Sequence, residues 1–84
     1  MIRIIFNENK HCAIALDEDK EIGICEYATT GDSWDIVHTY VDSNYQGQGI
    51  ARNLVECIIT EARDRNIPLT SSCSYANKIL NKDN

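Results

Sequence analysis

The hydrophobic pattern changes period once, at Gly49, and that change limits what the chain can fold into. Beyond it the apolar positions are Ile50, Ala51, Leu54, Val55, Ile58, Ile59 and Ala62. They form two adjacent rows at i, i+4 spacing, a broad stripe down one side of a helix. Arg52, Asn53, Glu56, Thr60, Arg63 and Asp64 fall on the opposite side, and Glu61 and Arg65 are spaced for an i,i+4 pair. Asn66 followed by Ile67-Pro68 supplies the stop signal. One long amphipathic helix is predicted from Ile50.

Before Gly49 the chain reads as strands cut by turn chemistry. Ile2–Phe6, His11–Leu16, Glu21–Thr29 and Trp34–Val41 are separated by Asn7-Glu8-Asn9-Lys10, Asp17-Glu18-Asp19-Lys20 and Thr30-Gly31-Asp32-Ser33. Connections this short join antiparallel neighbours, so a four-stranded meander is expected. Leu69–Ser72 reads as a fifth strand and Tyr75–Leu80 as a short terminal helix. The helix can seal one face of the sheet, and the other face needs the terminal segment or a ligand. The fold class is therefore α+β: a mostly antiparallel twisted sheet of about five strands with one long helix. At 84 residues, with neither linker nor repeat, a single domain over residues 1–84 is expected.

Charge and cysteine usage narrow the function classes. Eight basic residues stand against 13 acidic ones, and the basic residues are scattered, so nucleic acid is not an expected partner. The longest apolar run, Cys12–Leu16, is far below the roughly 18 residues of a membrane span, so no membrane partner is expected. Ile2–Phe6 turns polar at Asn7 with no export signal, and a cytoplasmic chain with reduced thiols follows as the expectation. Cys12, Cys25, Cys57 and Cys73 include no C-x-x-C pair, so neither a metal site nor a disulfide scaffold is expected.

The informative stretch is Val41-Asp42-Ser43-Asn44-Tyr45-Gln46-Gly47-Gln48-Gly49-Ile50-Ala51. A strand ends, a polar loop with two glycines follows, and the helix begins at once. The first turn of a helix offers unpartnered N–H groups and the positive end of the macrodipole, and glycine lets an anion approach closely. No Lys-Ser or Lys-Thr follows the second glycine, so this is not a Walker A loop. The strands before it read as antiparallel, so it is not a dinucleotide fingerprint. On spacing alone the choice stays open between an anion cradle and a plain strand-to-helix turn.

Gln46-x-x-Gly49-x-Ala51, between a strand and an amphipathic helix, resembles the acyl-CoA pyrophosphate loop of the GNAT superfamily of N-acetyltransferases. With His38-Thr39-Tyr40-Val41 before it and Cys73-Ser74-Tyr75 after it, the chain is similar over nearly its whole length to the small single-domain GNAT-like proteins. The resemblance implies that the strand before the loop splays from the next one and that acetyl-CoA, the cosubstrate, enters the gap. Its pantetheine arm would pair near Tyr40 and Val41, and its pyrophosphate would sit on Gln46, Gly47, Gln48, Gly49, Ile50 and Ala51. Asn77 would touch it from the terminal helix. The chain lacks the helices that ordinarily lie between the first two strands of the superfamily and shape the acceptor pocket.

Transfer to an amine needs the amine neutral, and an amine of pKa about 10.4 is neutral in only roughly one molecule in 2,500 at pH 7. In the family context Cys73 is implied as the catalytic residue, either carrying the acetyl group or moving a proton; its plain alternative is an inert buried thiol. Tyr75 is implied as the acid that protonates the CoA sulfur, against an ordinary amphipathic residue at a helix start. Histidine as a residue type suits a base near neutral pH, which makes His38 a candidate. On an alternating strand, however, it shares a face with Ile36 and Tyr40 and reads first as a packed, hydrogen-bonded histidine. Glu26 is a fainter candidate, and Cys12, Cys25 and Cys57 read as core. The expectation is an acetyl-CoA-dependent N-acetyltransferase acting on an amine of a small molecule or protein, as a monomer or weak dimer. Its rivals are a CoA-binding module or sensor without turnover, and an interaction domain without a ligand.

Overall fold

Turn residues and hydrophobic runs resolve into five strands and one long helix in the computed structural model, which describes residues 1–72. Strand β1 (Ile2–Asn7), β2 (Cys12–Asp17), β3 (Lys20–Thr30) and β4 (Ser33–Val41) form an antiparallel meander. A short 3-10 turn (Ser43–Tyr45) leads to α1 (Ile50–Asp64), and β5 (Leu69–Ser71) completes a sheet of order β1-β2-β3-β4-β5. β5 runs parallel to β4, because α1 carries the chain back across the sheet between them. The expected α+β sheet is present, and the expected terminal helix Tyr75–Leu80 lies outside the described residues.

Five of the seven residues of the predicted stripe, Ile50, Leu54, Val55, Ile58 and Ala62, form the buried face of α1 on the sheet, with Ala51 and Ile59 half-buried beside them. They meet Ala13, Ala15, Ile22, Cys25, Tyr27, Trp34, Ile36 and Val41 in one core. Each fully buried Leu, Ile or Val side chain contributes about 1.5–3 kcal/mol, so this single interface carries most of the fold's hydrophobic gain. Strand alternation alone does not give the core list, because two bulges shift it. Ile22 is the extra residue of β3 against Ala15 and Leu16, and it is buried in the core beside Gly23 and Cys25. Val37 is the extra residue of β4, since Glu26 faces His38 while Tyr27 faces Ile36.

The second bulge corrects one expectation. Trp34 and Ile36 point into the core before Val37, and Thr39 and Val41 take up the inward positions after it. His38 thus shares a face with Tyr40 but not with Ile36, and both are exposed rather than packed. On that face a cross-strand row runs Ile5, Ile14, Ile24 and Tyr40.

At the far end of the sheet, the end of α1 is closed by a Schellman arrangement. Asn66 is left-handed at φ 56°, its N–H donates to Arg63 O, and Ile67 N–H donates to Ala62 O at 2.8 Å. Arg65 lies over the Phe6 and Trp34 rings at 5.3 and 5.9 Å while donating to Glu8 at 2.8 Å and to Glu61 at 3.2 Å. The expected Glu61–Arg65 pair is thus one arm of a larger clamp. Tyr27 and Trp34 stack beneath it with centroids 4.2 Å apart.

Candidate functional site

The loop from β4 to α1 is built from its first residue. Asp42 N–H donates to Ile22 O at 2.8 Å, so the loop starts while still attached to β3. The Asp42 carboxylate then accepts from Asn44 N–H at 2.9 Å, and its carbonyl accepts from Tyr45 N–H at 2.9 Å, which makes the 3-10 turn. Gln46 turns its side chain back and donates from Nε2 to Val41 O at 3.3 Å. Tyr45 reaches across to β2, where its hydroxyl donates to Asp17 Oδ2 at 2.6 Å.

Past Gln46 the loop changes character. Gly47 and Gly49 sit at φ +84° and +78°, which an L side chain adopts only with strain. A Cβ at either would meet nothing within 4 Å, so the glycines serve the backbone path and leave the surface open. Gly49 is the N-cap of α1, and no side chain caps it. The first backbone bond of the helix runs from Asn53 N–H to Gly49 O, which leaves the N–H groups of Ile50, Ala51 and Arg52 ahead of any intrahelical acceptor. The first turn also carries no acidic residue, so the positive end of the macrodipole meets no carboxylate of its own turn.

This helix start borders a cleft of about 410 Å³ lined by Thr39, Val41, Tyr45, Gln46, Gly47, Gly49, Ile50 and Ala51. One wall comes from β4. Among the described residues its pairing with β5 covers Trp34, Asp35 and Ile36, and Ser72 N–H adds a bond to Ile36 O. Val37–Val41 then run on beyond that register. Since Asp42 donates toward β3, alternation turns the backbone groups of Tyr40 the same way and those of Thr39 and Val41 toward the β5 side.

The sequence matches the family model of GCN5-related N-acetyl-transferases over residues 12–84. The chain belongs to this family. Among solved structures it is similar to a GCN5-like protein of Staphylococcus aureus, at 26% identity and TM-score 0.72, over 96% of this chain and 79% of that one. It shares its fold with the ribosomal-protein-S18-alanine N-acetyltransferase of Escherichia coli, at TM-score 0.73 and 22% identity, over 92% of this chain and 53% of that one. It shares it too with the N-acetylglutamate synthase of Neisseria gonorrhoeae, whose structure holds coenzyme A and N-acetyl-glutamate, at TM-score 0.71 and 20% identity. There the match covers 95% of this chain and 22% of that one. The chain thus spans about half and about a fifth of the two named enzymes.

Of the family residues expected from the sequence, the cleft brings together Val41, Gln46, Gly47, Gly49, Ile50 and Ala51. The Tyr40 side chain, 55% exposed, points to the other face of the sheet, and Gln48 is exposed outside the lining. His38 lies on the same outer face as Tyr40, opposite Glu26. Cys73, Tyr75 and Asn77 lie outside the described residues.

Two lining residues were not expected from the sequence. Thr39 enters the cleft only because of the Val37 bulge, which no residue type announces. Tyr45 carried a faint signal, an aromatic inside an otherwise polar loop. Its bond to Asp17 holds that carboxyl below its ordinary value, and the same bond, with lesser help from burial and from the Asp17 and Asp42 charges, raises the Tyr45 phenol. Cys12 and Cys25 are buried, and Cys57 is half-buried. Burial pushes the Cys12 and Cys57 thiols above their ordinary value, the reverse of an activated nucleophile.

Proposed function

We propose that this GCN5-related N-acetyltransferase domain, residues 1–84, binds acetyl-CoA at the α1 tip and transfers the acetyl group to an amine of a small molecule or protein. The observation that carries the reading is the uncapped helix start at Gly49, opening onto a cleft in a chain of this family. Its donors suit a diphosphate: successive N–H groups from Gly47 to Arg52, a favourable dipole, and no carboxylate in the turn. The open space beside both glycines lets phosphate oxygens reach the backbone. The Val41 N–H, turned toward the β5 side while Gln46 holds the Val41 carbonyl, suits an extended amide-bearing arm laid along β4. Bound there, acetyl-CoA supplies an activated acyl carbon.

The chain's own chemistry is assigned to the residues after β5. Cys73 accepts the acetyl group or moves a proton during direct attack by the amine, Tyr75 protonates the departing sulfur, and Asn77 contacts the nucleotide. His38 is the further candidate for base. Mass spectrometry after acetyl-CoA exposure separates the two routes. A retained acetyl mass on the unaltered protein that vanishes in Cys73→Ala supports the covalent one, and no adduct on the unaltered protein counts against it.

A second reading, a CoA-binding module without turnover, rests on the same uncapped helix start and cleft and needs neither Cys73 nor Tyr75. Both readings predict stabilisation by CoA, about 2.7 kcal/mol at 100 times Kd. Thiol release from acetyl-CoA against a panel of amines divides them. Release with any acceptor supports the enzyme, and stabilisation without release supports the module. Absence of stabilisation ends both.

A further inference from the structure

We propose that Asp17 is a positioning residue for the diphosphate loop, acting through the hydroxyl of Tyr45. The inference rests on the CoA-binding reading above and deepens it. Glycines at 47 and 49 give this loop many backbone paths, and ligand-ready amides require one of them. Something must fix the loop immediately before the glycines. The bonds made by Asp42, Asn44 and Gln46 all stay within the loop or close on the adjoining strands β3 and β4. Among the described residues, the Tyr45 hydroxyl alone ties a loop side chain to β2, 28 positions away in sequence.

That tie has the marks of a strong one. At 2.6 Å it is a short O–H···O⁻ bond to an ionised acceptor, the class that holds geometry best. Tyr45 also forms part of the cleft wall itself, and Gln46, its neighbour, begins the anion loop. The bond therefore sets where the ring stands and where residue 46 starts. Asp17 touches no ligand in this arrangement; it holds the residue that shapes the cleft. The groups facing it are Tyr45, the N-terminal ammonium at 3.7 Å and Lys20, and Tyr45 in turn feels Asp42.

The test is CoA affinity by calorimetry for the unaltered protein, Tyr45→Phe, Asp17→Ala, Asp17→Asn and the Tyr45→Phe/Asp17→Ala double variant, with thermal melts alongside. Tyr45→Phe removes one oxygen and keeps the ring, so it is measured first. Expected is a rise in Kd of about tenfold for Tyr45→Phe and for Asp17→Ala, the scale of one charge-assisted bond. The double variant should lose no more than either single one, and Asp17→Asn, which keeps an acceptor oxygen, should lose less than Asp17→Ala. Unchanged CoA affinity in both single variants, or losses that add in the double, overturns the proposal and leaves the CoA reading standing. Failure of the unaltered protein to bind CoA removes both.

Discussion

The two ends of α1 are finished in opposite ways. At the C-terminal end every device that closes a helix is present: a left-handed Asn66, the Ile67 to Ala62 bond, and Arg65 spread over two rings and two carboxylates. At the N-terminal end the cap is a glycine with no side chain to offer, and the first amides face a cleft. A Ser or Asp cap in place of this glycine would add only about a few tenths of a kcal/mol, so leaving the first amides without a side-chain partner costs little. Stability is concentrated away from the cleft, and the cleft end keeps its donors for something else.

If that division holds, changes at the closed end alter stability alone, and changes at the open end alter CoA binding first. Trp34→Ala carries the largest expected effect. It removes a buried ring stacked on Tyr27 and should cost about 3–5 kcal/mol in a urea melt, by loss of burial and by the cavity left behind. Gly49→Ala comes next. A Cβ at φ +78° costs about 1–2 kcal/mol of stability in that conformation. Relief of the strain moves the amides, so CoA affinity by calorimetry should fall at least about tenfold. Equal CoA affinity in this variant breaks the comparison. Arg65→Ala is smaller still. Its ion pairs are part-exposed, so only a small drop in melting temperature is expected, with CoA affinity unchanged.

The smallest effect is a pH dependence. The folded state holds Asp17 below its ordinary value of 3.8, so the unfolded chain takes up that proton first as acid is added. The contribution is present above 3.8 and is lost as pH falls through the lower folded value. Tyr45 is raised in the folded state, so its contribution is present below 10.0 and lost as pH rises through the higher folded value. Tyr45→Phe should flatten both limbs of the melting temperature against pH. Limbs identical to those of the unaltered protein would show that the bond does not persist in solution.

Much of this was legible in the sequence, for reasons that particular residues make plain. The rows from Ile50 and Ala51 gave the helix because a 3.6-residue period leaves a regular trace. The charged and Gly-bearing turns marked the strands because turns need such residues. The Gln46-x-x-Gly49-x-Ala51 loop was visible because its chemistry depends on backbone and therefore on glycine. The bulges at Ile22 and Val37 were not legible, since an extra residue in a strand needs no special residue type. That is why plain alternation puts His38 beside Ile36 and turns Thr39 away from the cleft. The Asp17–Tyr45 bond was invisible for another reason: nothing local connects two residues on separate elements.

CoA binding at this end of α1 depends on the amides of Gly47 to Arg52 gripping a diphosphate, and amide spectra followed through a CoA titration test that most directly. The predicted result is saturable shifts concentrated on those residues, on Thr39 and Val41 and on Cys73, Tyr75 and Asn77, with Asn66 and the Phe6, Tyr27 and Trp34 cluster undisturbed. Saturable shifts centred on the Arg65 end of the helix, or none at all, would contradict it.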